Sequence, residues 1–337
     1  MIADSPAQQG GQRQAVSRFL AGGGLIILLL LAIVVAMGLI QPRFFNRLNL
    51  LNILRSFANL SIIALGQMLV MIAGGFDLSV GVVVALSSVV AASIMAPLAE
   101  AWPDLTVAVV HVGMAGALAS GAAVGVANGV AVAVLGINPL IATLAMTSIV
   151  VGGTLYFTQG IPVYGIPDSF MATFGSGRLF GVPASVLIAL ALIALVIVMQ
   201  RSTAFGRHVY AVGGNPQATR LSGIGLRRVL IAVYAISGSL AAVTGLLLTG
   251  LVGSGQSSIG STATIESVSA AVIGGVSLRG GAGRAERVVL AALFLTVLAN
   301  ALDLARIDSK YQTLVLGAVL IAALSAEKLF QKRAGDA

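Results

Sequence analysis

The stretch "LTVAVVHVGMAGALASGAAVGVANGVAVAVL", residues 105–135, has 31 residues and no Asp, Glu, Lys or Arg. A bilayer needs about 20 apolar residues per helical span. This run is therefore either one long span or two short ones. The choice decides how many times the chain crosses and which way its N-terminal half faces. Small residues recur at every fourth position: Ala117, Gly121, Gly125, Gly129 and Ala133. Such spacing puts a smooth stripe on one helical face, where another backbone can approach closely. An unbroken stripe favours a single helix. Glycine is also simply frequent in membrane helices.

Nine further apolar runs surround it: 21–40, 54–73, 79–97, 138–158, 183–200, 229–251, 263–278, 287–304 and 311–327. Hydrophobic residues make up 58% of the 337-residue chain and charged residues 9%. A soluble core could not hide so much apolar surface, so lipid is the solvent. The fold class is therefore all-α: a polytopic membrane protein of about ten transmembrane helices. Residues 1–20 read as a polar cytoplasmic tail, 21–327 as one transmembrane domain with a basic loop at 201–228, and 328–337 as a basic cytoplasmic tail. The first run is too long for a signal-peptide core and no small-residue cleavage site follows it, which makes it a retained helix.

The net charge of +8 reads as the Lys and Arg bias of cytoplasmic loops rather than as nucleic-acid binding. With ten spans and the N-terminus inside, 13 Lys and Arg lie inside and six outside; splitting 105–135 gives 14 and five. Both counts put 201–228, 279–287 and the C-terminal tail inside. The absence of cysteine rules out disulfides and thiolate metal sites, and His111 and His208 alone give no zinc cluster. No catalytic residue and no metal site is expected.

The segment "AVGGNPQATRLSGIGLRR", 211–228, is the most polar long stretch between the spans. Asn215 suits an N-cap, Pro216 the first helical position and Gly223 the left-handed residue after a helix end. This predicts a two-turn helix near 216–222 outside the membrane. Ala218 and Leu221 share one face, with Gln217 and Arg220 displaced around the axis. A loop that merely had to remain in the cytosol needs no cap at either end, which favours a docking role over one of resting on headgroups.

Five blocks carry a resemblance: "GGFDLSVGVVVALSSVVAA" (74–92), "GVANGVAVAVLGINPLIATLAM" (125–146), "TAFGRHVYAVGGNPQATRLSGI" (203–224), "YAISGSLAAVTGLLLT" (234–249) and "AVIGGVSLRGGAG" (271–283). In order and spacing, over about 45–325, the chain resembles the permease subunits of bacterial ABC importers for ribose, arabinose, xylose, galactose and related monosaccharides. The resemblance implies an inner-membrane subunit working with a second permease copy, a cytoplasmic ATPase and a periplasmic sugar-binding protein. It implies that the 216–222 helix, with Asn215, Pro216, Gln217, Ala218, Arg220, Leu221 and Gly223, couples to that ATPase. The chain lacks G-x-x-x-x-G-K-[ST], so ATP and Mg belong to the partner and this chain binds no cofactor. Branched-chain amino-acid permeases share parts of the pattern.

Asp77 in "AGGFDLSVG" sits between two apolar runs. At mid-bilayer a charged Asp costs about 2.5–3.5 kcal/mol. Gly74 and Gly75 let the chain turn, and Asp77 or Ser79 can cap the next helix; a cap at the membrane boundary and a gating role are both open. GGFDLSVG (74–81) and GGVSLRGG (274–281) match at four of eight positions, pairing Gly74 and Gly75 with Gly274 and Gly275. In the ten-span reading both stretches are cytoplasmic turns, as related gating positions at Gly74, Gly75, Asp77, Ser79, Gly274 and Gly275 would be. Coincidence in a glycine-rich chain explains the match better than a repeat does. A neutral sugar needs weak hydrogen-bonding groups, and Gln67, Asn128, Thr143, Thr147 and Asn300 are candidates for its path. Each could instead bond a neighbouring helix. Related permeases often carry an asparagine where this chain has Asp303. Arg43, Arg47, Arg55 and Arg178 fall outside in the ten-span reading, where they could dock the acidic face of a binding protein or snorkel to headgroups. An ion-coupled secondary transporter is the main rival, with Asp77, Glu266 and Asp303 its only plausible intramembrane acids. A membrane enzyme finds no nucleophile–base or metal constellation.

Overall fold

The computed structural model describes residues 24–308 and, beyond them, 311–312, 314–315, 317–318 and 321–322, all eight helical. The tails at 1–20 and 328–337 and much of the 311–327 run lie outside the described residues.

The decisive stretch forms one unbroken helix. A 3-10 turn, Pro103–Leu105, leads into α4 at Thr106–Ala133. In order, α1 spans Leu25–Ile40, α2 Arg47–Ile72, α3 Val80–Ala101, α4 Thr106–Ala133 and α5 Pro139–Thr158. A two-stranded hairpin follows, β1 Arg178–Leu179 with β2 Val182–Pro183. Then come α6 Ala184–Ser202, α7 Ala204–Gly214, α8 Pro216–Leu221, α9 Leu226–Val252, α10 Ala263–Ile273 and α11 Ala285–Leu304. Among the described residues seven helical stretches are long and apolar enough to cross a bilayer: α2, α3, α4 with its leading turn, α5, α6, α9 and α11. Local chemistry sets several starts. Asn46 accepts the Leu48 N–H at the head of α2, and Asn138 accepts the Leu140 N–H at the head of α5 with Pro139 in the first turn.

The core is built on α2 and α9. Every residue from Leu60 to Ile72 is buried, as expected of a helix that is apolar all round. The small-residue stripe of α4 lies on α9. A methyl on Gly121 would meet the Gly238 carbonyl at 2.5 Å, one on Gly125 the Tyr234 carbonyl at 2.2 Å, and one on Gly129 the Ile231 Cα at 2.6 Å. Ala133 is only half-buried, so the close contact ends one turn before the stripe does. By contrast α5 leaves Ile141, Leu144, Ile149 and Leu155 exposed, a surface suited to lipid.

One expected span is corrected. The run 263–278 is helical only over Ala263–Ile273, 11 residues, or about 16 Å at 1.5 Å per residue. That is too short to cross. The chain before it, 253–262, is irregular and lies along α3. Gly255 packs against Ala92 and Ser88, and Gly260 against Val84 and Gly81. Gly255 also exchanges two 2.8 Å backbone bonds with Val163. Composition could not reveal this, because the segment is as apolar as a helix would be. The Gly274–Gly275 pair then ends α10.

Candidate functional site

At the basic end of the bundle α7 and α8 form an angle of chain that sequence patterning resolved only in part. Thr203 caps α7 by accepting the Gly206 N–H. Asn215 Oδ1 accepts from Gln217 N (3.1 Å) and Ala218 N (2.9 Å), as its type and the following Pro216 require. At the other end Gly223 adopts φ +77°, and Ile224 N donates to the Thr219 carbonyl at 3.3 Å, the bond that closes a left-handed helix end. The helix thus stops at Leu221. Pro216, Gln217, Ala218, Arg220 and Leu221 are exposed, Leu221 at 87%. The residue that holds α8 in place is Thr219, which is buried and donates to the carbonyls of Ala211 and Asn215. Its position between Ala218 and Arg220 gave no sequence signal for that role.

Behind α8 three chain segments meet through glycine. Gly281 N donates to the Ile72 carbonyl at 2.8 Å. Gly213, near the end of α7, sits against that bond: a methyl there would lie 1.7 Å from the Ile72 oxygen and 2.7 Å from Gly281 N. Gly280 packs on Gly213 and on Gly74. The turn after α2, the turn after α10 and the end of α7 are therefore in direct backbone contact. The sequence match between 74–81 and 274–281 proves to be one residue out of register. Gly74 (φ +85°) and Gly275 (φ +77°) hold the equivalent left-handed position. The matching closing bonds are Gly75 N to Val70 O and Val276 N to Ala271 O, both about as long as an ordinary backbone bond (2.9 and 3.0 Å).

From Gly74 the chain runs back into the bundle, and Asp77 is not at its boundary. Its carboxylate accepts from Ser79 N at 3.0 Å, Ser79 Oγ at 2.6 Å and Ser237 Oγ at 3.0 Å. Ser237 lies against Gly66, six residues before the end of α2 and eleven beyond the start of α9. Those offsets place Asp77 about 9 Å above one helix end and 16 Å above the other. The side chain is 1% exposed. It does not cap α3 in the way its spacing allows: Ser79 is the residue before the helix, neither its side chain nor that of Asp77 accepts from the first-turn N–H groups, and Asp77 instead fixes Ser79 inside the protein. Around it Asn128 Nδ2 donates to Ser79 Oγ (2.8 Å), Tyr234 OH to the Phe76 carbonyl (3.1 Å), and Thr147 Oγ1 to the Leu78 carbonyl (3.2 Å).

The candidate path residues are not brought together. Asn128 and Thr147 belong to the Asp77 cluster. Thr143 bonds the Pro139 carbonyl of its own helix. Gln67 is fully buried in α2 with neither side-chain polar atom partnered. Asn300 lies at the opposite end of the bundle, exchanging hydrogen bonds of 2.8 and 3.0 Å with Asn49. There it lines a cavity of about 470 Å³ with Asn52, Ser56, Glu266, Thr296 and Asp303. Most of that lining was missed by sequence reading, since these polar residues are scattered over α2, α10 and α11. Arg43, Arg47 and Arg178 are exposed and Arg55 is half-buried. Arg178 lies in the hairpin whose second strand packs on α2, and α2 runs parallel to α6, with Met68 near Gln200. All four arginines are therefore at the cavity end. Among the described residues no cluster of His, Cys, Asp and Glu could hold a metal.

A family model described as the permease component of branched-chain amino acid transport systems matches residues 49–324. The chain is 37% identical to the ribose import permease protein RbsC of Escherichia coli (strain K12) over 295 residues, which is 87% of this chain and 89% of that protein. It is 34% identical to RbsC of Bacillus subtilis (strain 168), over 88% of this chain and 89% of the relative. With the galactose/methyl galactoside import permease protein MglC of Haemophilus influenzae it shares 33% identity, over 88% and 92% of the two chains. No solved structure matches. The family model spans most of the chain and these relatives match it nearly end to end, so this multi-helix membrane protein belongs to the family of transport-system permease components.

Proposed function

We propose that the chain is the membrane subunit of an ATP-driven importer in the bacterial inner membrane, passing a monosaccharide delivered by a periplasmic binding protein. The relatives named for ribose and galactose support the substrate class. The cavity chemistry agrees with it. Its lining carries amides, hydroxyls and two carboxylates, and no Lys or Arg. A neutral polyol can bond to all of these, whereas the carboxylate of a branched-chain amino acid would face Glu266 and Asp303 with no cation to pair it. Asn52 and Ser56 are exposed on the flank of α2. A polar face with a nearby acid is costly against lipid, so it suits water or a second copy of the chain across a shared path.

The observation that carries ATP coupling is α8. It is capped at both ends, yet its largest apolar side chain, Leu221, is 87% exposed. Such a helix fits a groove on another protein. In this reading the basic end is cytoplasmic, α8 docks on a separate ATPase that binds ATP and Mg, and the glycine contacts pass its motion to the turns after α2 and α10. This chain itself makes and breaks no covalent bond. Purified alone in liposomes, it is expected neither to hydrolyse ATP nor to accumulate sugar; with its ATPase and binding protein it accumulates sugar when ATP is supplied. Accumulation by the lone chain driven by a proton gradient would replace this reading with a secondary transporter.

A further inference from the structure

A second cavity, about 460 Å³, opens at the basic end beside the glycine contacts. Its walls are Tyr210 of α7, the 275–283 turn, and Arg284 and Arg287 at the start of α11. Arg284 is the extended residue just before α11 and Arg287 lies in its first turn, and both line the cavity. Neither is in an ion pair among the described residues. The nearest acid on that element, Glu286, is bridged to Arg201 instead. The positive end of the α11 dipole adds to their charge rather than offsetting it. The cavity is rigidly placed, because Tyr210 OH donates to the Gly283 carbonyl at 2.5 Å and Gln200 accepts the Ala285 N–H at 3.0 Å. It is therefore a preformed pocket with two arginines that have no ion-pair partner among the described residues.

Its position says what would fill it. The pocket shares a wall with α7, which ends at Gly214, and α8 begins two residues later. A protein that covers Leu221 at this end lies next to the pocket. We propose that the cavity receives an acidic side chain of the same ATPase, as a second grip that acts on the α10–α11 turn while α8 provides the first. The inference rests on the docking reading above. Two attachment points on separate elements let one partner move the turns relative to each other, which a single helix in a groove does not. Arginine suits this task because its fork can hold a carboxylate through two bonds.

The test is ATPase retention on the tagged full-length chain in lipid nanodiscs, at low and high salt, with sugar-stimulated ATP hydrolysis on the same samples. Arg284→Gln with Arg287→Gln is expected to lower retention about tenfold at low salt, to remove most of its salt dependence, and to uncouple hydrolysis from sugar. Arg279→Gln removes an exposed charge from the same turn outside the cavity, and should leave retention within about twofold, as expected of a rim charge. Melting of each variant without the ATPase checks that the fold is intact. Retention unchanged in the double variant, or lowered equally by Arg279→Gln, overturns the proposal. So does unchanged retention together with a lost response to phosphatidylglycerol in the nanodisc, which would assign the pocket to a lipid phosphate. Leu221→Asp separates the two claims. If it abolishes retention while the double variant does not, only the second grip fails. If it leaves retention intact, the docking reading fails with it.

Discussion

The two ends of the bundle are built from different materials. At the basic end the contacts are backbone to backbone, with Gly213 against the Gly281–Ile72 bond and no side chain between. Just above it, Asp77 has three donors on one carboxylate. At the opposite end α2, α10 and α11 stand apart around a cavity lined with Asn, Ser, Thr and two acids. Close-packed interiors transmit displacement because they have no slack. Open polar cavities admit water and solute. The contrast fits a division of labour in which one end carries force and the other carries substrate.

The sharpest way to break this contrast is to put a methyl into the contact at the basic end. Gly213→Ala would place Cβ 1.7 Å from the Ile72 oxygen. Overpacking of this kind costs about 1–3 kcal/mol, and losing the bond adds about 1 more. Uptake should fall at least about tenfold, because the Gly281–Ile72 bond that joins the two turns cannot keep its geometry beside that methyl. Gly214→Ala meets nothing within 4 Å and should transport normally. Equal behaviour of the two variants would show that the glycine contact transmits nothing.

Removing the carboxylate above the contact comes next. Asp77→Ala strands the Ser79 N–H and the two serine hydroxyls in a buried site, a loss of about 1–3 kcal/mol, read as a lower melting midpoint. Asp77→Asn keeps an acceptor and should melt closer to the parent chain. If alanine and asparagine melt alike, the hydrogen bonds at Asp77 do not hold the start of α3.

Changes at the cavity end should act on transport and spare the ATPase. Asn300→Ala breaks the reciprocal pair with Asn49, a loss near 1 kcal/mol. It should alter the sugar concentration for half-maximal uptake several-fold while ATPase retention stays constant. A loss of ATPase binding would mean that the two ends are not separate. The smallest effect is expected from Arg43→Ala with Arg178→Ala. Exposed charges mainly steer association, so uptake should fall no more than about threefold, and only at low salt.

Sequence reading reached as far as local rules reach. The caps at Asn215 and Gly223 and the α4 stripe were legible because each depends on residues a few positions apart. A turn at Gly274 and Gly275 was legible from the glycines, but the shortness of α10 was not, because the apolar composition of 263–278 is the same for a spanning helix and for a short one with irregular chain beside it. The depth of Asp77 was hidden for a related reason: it is set by Ser237, 160 residues away. The cavity at Asn300 draws on three helices far apart in sequence, and no spacing within one helix points to it. The basic loop expected over 201–228 includes the 203–214 region, whereas that region is helical over Ala204–Gly214, with Val209 and Val212 buried.

The most direct test of the division of labour is Leu221→Asp, measured by ATPase retention and sugar uptake in membranes matched for content of the chain. The residue is 87% exposed and outside every membrane-crossing helix, so insertion should be unaffected. A charge forced into an apolar groove is costly. Normal membrane levels with lost ATPase retention and lost uptake are expected, and Arg220→Ala should be milder because a rim charge contributes less than a buried anchor. Full retention and full uptake by Leu221→Asp would show that α8 is only a solvated loop and that force does not enter at this end.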